Sequence, residues 1–240
     1  MQTQIVKHEN VTAAEYAGMY AVFSRYYENL DPSRFEADWA GKDWVILLKS
    51  DTDETVGFST LQTYRHKGAT GVAEIIYSGD TVVDRAYRTN GYLAGAFGHF
   101  LLRMVDRGEG SPVYWLLTSK GVRTYRFLPV FFNAFYPAHN RETLVAAKRL
   151  VDEIAAAKFG GAYSPERQTV LHRGNRDRVR ASEHEPCLLQ RRDPHVQFFL
   201  EQNPGYAVGD ELVCLTPMSR ENLNARGRRV IEHTKVTWRE

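Results

Sequence analysis

The chain has 240 residues, enough for one large domain or a domain with an extension, and its 43% hydrophobic and 25% charged content is that of an ordinary globular protein. A formal net charge of +2 indicates no polyelectrolyte partner for the molecule as a whole, and no run approaches the ~18–20 apolar residues that span a bilayer. Cys187 and Cys214 are the only cysteines and MQTQIVKHEN is not a basic-then-apolar leader, so a reducing cytoplasm is the expected compartment.

Residues 12–30 read as a helix: Tyr16, Tyr20, Phe23 and Tyr27 recur at helical spacing, Thr12 is suited to the N-cap, and Asp31-Pro32 ends or interrupts the run. Trp44 to Leu48 is a compact apolar run and reads as a buried strand. Asp51 to Glu54 form a turn, and residues 56–64 form the return strand of a hairpin. A third strand covers 73–83, with Gly79 inside it marking a bulge or a close backbone approach. After a short turn, Leu93, Phe97, Phe100, Leu101 and Met104 make the stripe of an amphipathic helix. Residues 113–117 follow as a strand, so strand, helix and strand make a βαβ unit with parallel pairing of 73–83 and 113–117. A helix over 141–158, an arginine-rich stretch over 164–194, a late strand at 212–215 and a polar helix over 219–233 complete the chain.

The turn before the amphipathic helix is the most informative segment. The first N–H groups of a helix have no internal partner, so a strand feeding a helix through a glycine-bearing turn is a ready anion site. Val83-Asp84-Arg85-Ala86-Tyr87-Arg88-Thr89-Asn90-Gly91-Tyr92-Leu93 resembles the pyrophosphate-binding motif of the GNAT acyltransferase superfamily, which runs roughly V-x-P-x-Y-R-G-x-G-x-G/A. Val83, Tyr87, Arg88 and Gly91 match; Arg85 replaces the proline, Thr89 the first glycine and Leu93 the last small residue. The element order (helix, hairpin, strand, helix, strand) is also that of the GNAT core.

The resemblance implies an α/β (α+β) fold: a mixed central sheet with splayed parallel strands, flanked by helices. The GNAT-like core would occupy 1–140, with 141–240 as a C-terminal extension packed on it. It further implies an N-acyltransferase that moves an acyl group from a coenzyme A or acyl-carrier-protein thioester to a primary amine of a small molecule, amino acid or peptide. The donor's pantetheine arm would pair with Thr81, Val82 and Val83, and its phosphates would lie on the N–H groups of Arg88, Thr89, Asn90, Gly91 and Leu93, with Gly91 letting the backbone come close. The bulk of Leu93 favours a donor with a single phosphate, such as acyl-phosphopantetheine on a carrier protein, over acyl-CoA.

Acyl transfer needs a base for the amine and an acid for the departing thiolate. Glu74, beside the apolar Ile75 and Ile76, is the first choice of base, because desolvation raises a carboxylate pKa; Asp80 is the second. Tyr125 stands in the place where the family carries its tyrosine acid, with Tyr136 a substitute. Phe127, Phe131, Phe132 and Phe135 either wall a tunnel for a long acyl chain or pack a core. No HxxxH or HExxH spacing suggests a metal. The arginines between 167 and 192 read either as solvated surface or as a docking face for an acidic carrier protein or peptide. Two other readings stand beside the enzyme: a non-catalytic GNAT-like binding module, and a nucleic-acid binder, which the absence of aromatics interleaved with those arginines argues against.

Overall fold

The computed structural model describes residues 1–69, 71–108, 110–139, 145–183 and 192–240, with backbone alone at 89 and 90. The strands are β1 (Gln2–Lys7), β2 (Tyr27–Glu28), β3 (Trp44–Lys49), β4 (Thr55–Gly68), β5 (Gly71–Val83), β6 (Val113–Ser119), β7 (Tyr163–Ser164), β8 (Thr169–Val170), β9 (Arg178–Val179), β10 (Glu211–Pro217) and β11 (Thr237–Arg239). The principal helices are α1 (Ala13–Tyr26), α2 (Pro32–Ala40), α3 (Tyr92–Arg107), α4 (Val122–Tyr125), α5 (Phe127–Phe131), α6 (Val145–Phe159), α7 (Pro194–Gln202) and α8 (Ala225–His233). Among the described residues one nine-stranded sheet runs β11-β1-β3-β4-β5-β6-β10-β8-β7. Helices cover both its faces, so the fold is the mixed α/β class expected.

The apolar run in β3 is continuous because both faces are covered. Trp44, Ile46 and Leu48 point into a core with Leu93, Phe97 and Phe100 of α3, while Val45 and Leu47 point into another beneath Met19, Val22 and Phe23 of α1 and Phe35 of α2. A third core packs Val151, Ile154 and Ala155 of α6 against Ile75, Leu116 and Val213. Helix α1 starts at a capping box, in which Thr12 accepts from the Glu15 amide and Glu15 accepts from the Thr12 amide at 2.9 Å. It ends at Tyr26. Asp31-Pro32 does not end this helix; it begins α2, with the Asp31 carboxylate accepting from the Ser33 and Arg34 amides and Pro32 at the first helical position.

Two features position the site. The first is a bulge in β5: Ser59 pairs with Thr81 but Leu61 with Ser78, so Gly79 and Asp80 together oppose Thr60. A one-residue shift reverses the face of everything after it. Ile76 therefore points into the α3 core, whereas Val82, six residues on, points into the α1 core. The second is a close contact between α3 and α8. A Cβ on Gly95 would stand 1.9 Å from Thr234 Oγ1, and one on Gly98 would stand 2.3 Å from Ile231 Cγ1, so glycine at both positions lets α8 lie against α3.

The expected boundary at 140 meets no break in the sheet. Strands β7, β8, β10 and β11 all come from beyond it; β10 is antiparallel to β6, and β11 is parallel to β1 at the opposite edge.

Candidate active site

β5 and β6 pair in parallel from Glu74–Val113 to Ser78–Leu117 and no further, although β6 runs on to Ser119 and β5 to Val83. Beyond the bulge, Thr81, Val82 and Val83 are paired to β4 alone, which leaves a gap between the two parallel strands. A cavity opens on each side of it.

The larger cavity, about 850 Å³, lies between the end of β5, the head of α3, helices α4 and α5, and α8. Its wall includes Thr81, Val82, Val83, Arg88, Gly91, Tyr92, Leu93 and Ala94. Gly91 is the N-cap of α3 at φ +69°, a left-handed conformation that glycine adopts without strain, and no side chain caps the helix. The amides of Tyr92, Leu93 and Ala94 thus open α3 at the cavity. Arg226, Arg229 and His233 of α8 line it as well. Leu93 is buried in the α3 core and also lines the cavity.

Arg88 is largely engaged by the protein itself. Its Nε donates to the Val83 carbonyl at 2.7 Å, its guanidinium lies 4.4 Å from the Tyr26 ring centroid, and it pairs with Glu183 at 2.5 Å. Glu183 also pairs with Arg85 at 2.5 Å and Arg123 at 2.9 Å. Burial opposes its charge, but Arg88 and Arg85 overcome that and hold its carboxyl down at about 2. A carboxylate thus already gathers three guanidinium groups at the wall of this cavity. The side chains of Thr89 and Asn90 lie outside the described part; their backbone forms the 3-10 turn that ends at Gly91.

The smaller cavity, about 230 Å³, lies on the α2 and α6 side, lined by Asp38, Lys42, Tyr77, Asp80, Lys120, Lys158, His172, Arg176 and Glu211 among others. The bulge brings Asp80 here: without it, Asp80 would follow Ile76 and Ser78 toward α3. Glycine at 79 lets Lys42 pass, since a Cβ there would stand 2.6 Å from Thr60 Oγ1 and 2.9 Å from Lys42 Nζ. Burial raises the Asp80 carboxyl to about 6 against the pull of Lys120. Lys120 is itself buried, yet Glu211 (3.3 Å) and Asp177 (2.5 Å) keep its ammonium charged well above the usual range.

Tyr27, Thr81 and Thr124 line both cavities, so the two meet at these residues. The Tyr27 hydroxyl donates to the Thr81 carbonyl at 3.4 Å, and burial pushes its pKa above the ordinary tyrosine value, so it stays protonated.

The remaining sequence candidates lie elsewhere. Glu74 is at the opposite end of β5, ion-paired with Arg65 at 2.6 Å and lining neither cavity; six residues of strand put it about 20 Å from Asp80. Tyr125 is fully buried between Phe135, Phe198 and Phe199, donates to the Pro137 carbonyl at 3.3 Å, and lines neither cavity. Tyr136 pairs through its backbone with Leu215. Of the aromatics expected as a tunnel wall, Phe127 and Phe131 line the larger cavity, whereas Phe132 is buried in the core against Trp115. Three arginines of the stretch are folded back on the molecule, Arg176 pairing with Asp38, Arg178 with Glu28 and Arg180 donating to the Ser24 carbonyl, whereas Arg167, Arg173 and Arg192 are exposed. Arg191 and Cys187 lie outside the described residues. No group of His, Cys, Asp or Glu suited to a metal occurs among the described residues, and none of their helices is long and apolar enough to cross a membrane.

Sequence reasoning missed Tyr27, Lys42, Lys120, Thr124, Lys158 and Glu211. Each stands next to a recognisable element end, but the elements that meet here are far apart in sequence, and no local pattern announces the meeting.

No known family profile matches this sequence, and no curated protein sequence does. Solved structures do match at low identity. A probable N-acyltransferase from Enterococcus faecalis is 13% identical over 56% of this chain and 33% of its own, with a TM-score of 0.41. A GNAT family N-acetyltransferase from Escherichia coli, solved in complex with CoA, is 13% identical over 53% of this chain and 68% of its own, with a TM-score of 0.39. An acetyltransferase from Trypanosoma brucei is 18% identical over 60% and 97%, with a TM-score of 0.36. This chain therefore spans only 33% of the Enterococcus structure's length. Scores of this size carry no argument about chemistry. The parting of β5 from β6 and the uncapped head of α3 are the features of this chain that agree with the arrangement the sequence resemblance implies.

Proposed function

We propose that the protein is an N-acyltransferase whose acyl thioester occupies the larger cavity and whose amine acceptor occupies the smaller one. The observation that carries this reading is the junction: two cavities of different chemistry, one largely apolar beside uncapped helix amides, the other charged, meet where two parallel strands part. A thioester has an apolar arm and an anionic end, and the first cavity offers apolar walls and N–H groups in that arrangement. The basic residues of α8 at its wall suit the several phosphates of CoA better than the single phosphate of a carrier-bound arm. Phe127, Val130 and Phe131 leave an apolar wall for acyl chains longer than acetyl.

In this reading Asp80 takes a proton from the ammonium form of the acceptor. The free amine attacks the thioester carbonyl, the carbon–sulfur bond breaks, and the thiolate leaves with a proton from the Tyr27 hydroxyl; the proton shed by the acylated nitrogen restores that hydroxyl, and Asp80 returns its own proton to solvent. A base near 6 is largely ionised at neutral pH and still basic enough to act, and a protonated tyrosine lining both cavities supports the role of acid for the departing thiolate.

The test is release of free thiol from acetyl-CoA, octanoyl-CoA and the corresponding acyl-phosphopantetheines in the presence of a panel of primary amines. Amine-dependent release, lost in Asp80→Asn, supports the reading. Donor binding without release for any amine would favour the binding module, a reading to which Glu183 among the arginines lends support.

A further inference from the structure

We infer that the acceptor carries its own anionic group beside the amine, as a small amino acid does, with Asp80 holding the amine and Lys42 and Lys158 holding the anion. This rests on the acyltransferase reading for the role of the amine, but the binding chemistry stands on the cavity alone.

The charges lining the smaller cavity are mostly matched within the protein. Arg176 pairs with Asp38 and Lys120 with Asp177 and Glu211, while the His172 ring is hydrogen-bonded to Glu211 at 3.2 Å. Three groups are left over. Asp80 has no cation within ion-pair distance among the described residues, although Lys120 and Lys42 pull on it and Asp177 and Asp38 push against it from further off. Lys42 and Lys158 have no carboxylate within that distance among the described residues. Both ammonium groups face the Tyr77 ring, at 5.1 Å and 4.0 Å from its centroid; Lys158 also faces the Tyr64 and Phe159 rings at 5.2 Å and 5.9 Å and donates to Gln62 Oε1 at 2.6 Å.

Two cations gathered in a partly desolvated cavity with no carboxylate at ion-pair distance among the described residues are unfavourable. Burial, with Lys42 next in weight, lowers the Lys158 ammonium to about 8; Asp38 offsets this only in part. An anion between the two lysines would relieve that repulsion, and an ammonium at Asp80 would supply the missing cation there. One small molecule bearing both charges completes the set. The cavity volume of about 230 Å³ suits a molecule of a few heavy atoms and not a folded peptide. A simple amine would satisfy Asp80 and leave the lysine pair unmatched.

The test pairs glycine, β-alanine and 4-aminobutyrate with their decarboxylated counterparts methylamine, ethylamine and propylamine, with 2-aminoethyl phosphate to separate phosphate from carboxylate. Two readouts are taken on the full chain: thiol release from acetyl-CoA, and calorimetric titration of each compound without donor. The expected result is at least a tenfold lower KM or Kd for one or more of the anionic amines than for the matching simple amine. That preference should collapse in Lys42→Ala and Lys158→Met, with both variants retaining the wild-type circular dichroism spectrum. Equal affinity for anionic and simple amines overturns the inference while leaving the enzyme intact. Binding of anionic amines without thiol release keeps the inference and removes the acyltransferase. No preference in either readout, or a preference that survives both lysine substitutions, sinks it.

Discussion

Replacing Asp80 with asparagine removes the one carboxylate that the β5 bulge turns into the smaller cavity and that no cation of the described residues pairs. General base catalysis is worth about 10²–10⁴ in rate, so kcat/KM for the amine should fall by about that factor. The wild-type profile should lose activity as pH drops through about 6, because protonation of Asp80 removes the base, and Asp80→Asn should lack that limb. Asp38, Asp177, Lys42 and Lys120 all act on this carboxyl, so Lys42→Ala should move the limb to higher pH. Tyr27→Phe should lower kcat while leaving the donor KM within about threefold, since only the departing thiolate needs the hydroxyl. Glu183 makes a prediction of two signs. Its folded pKa lies below the ordinary 4.5, so its stabilisation is complete above pH 4.5 and is lost as pH falls toward about 2. Glu183→Gln at neutral pH should therefore cost about 1–3 kcal/mol in urea unfolding. It should also tighten CoA binding about 3–10-fold, because three guanidinium groups lose their internal anion at the donor cavity. Weaker CoA binding in that variant would place the arginines in a purely structural role.

At the scale of elements, the contact of α3 with α8 joins fold and site. Gly95→Ala would put a Cβ 1.9 Å from Thr234 Oγ1 and 2.8 Å from the Val230 carbonyl, and a backbone carbonyl cannot swing aside. Overpacking of this kind costs about 1–3 kcal/mol. Because α8 carries Arg226, Arg229 and His233, the same change should raise the donor KM while the acceptor KM holds. The sequence made the strand–turn–helix legible because its signals are local: an apolar run, Gly91 at the turn, a 3.6-residue stripe in α3. It marked Gly79 as a bulge or a close backbone approach, yet not the consequence, because which face Asp80 reaches depends on register against β4. The sequence picks out Glu74 by the apolar residues beside it and Tyr125 by its place in the family pattern. One sits at the far end of a 13-residue strand, and the other is enclosed by Phe198 and Phe199 of a helix some 70 residues later. In the sequence Tyr27 reads as one more residue of the α1 stripe, although α1 stops just before it and its hydroxyl reaches the Thr81 carbonyl at the strand gap.

For the whole molecule, the sheet is closed by late sequence. β10 covers the edge of β6, pairing with it from Tyr114 to Ser119, and β11 pairs with β1. A fragment of residues 1–140 would expose that edge, with Trp115, Leu116 and Leu117 uncovered, and should fail to give a cooperative thermal transition. Short strands such as β1 and β11 escaped sequence reading because their polar residues mask the alternation, and because parallel pairing of the two ends of the chain has no local signal.

The claim underlying all of this is that the uncapped amides of α3, beside the gap between β5 and β6, receive the thioester's phosphates. The most direct measurement is a titration of CoA into ¹⁵N-labelled protein, followed by amide chemical shifts. Saturable shifts at Tyr92, Leu93 and Ala94 together with Thr81, Val82 and Val83 are the predicted result. Saturable binding that leaves those amides unmoved, or no binding at millimolar CoA, would contradict it.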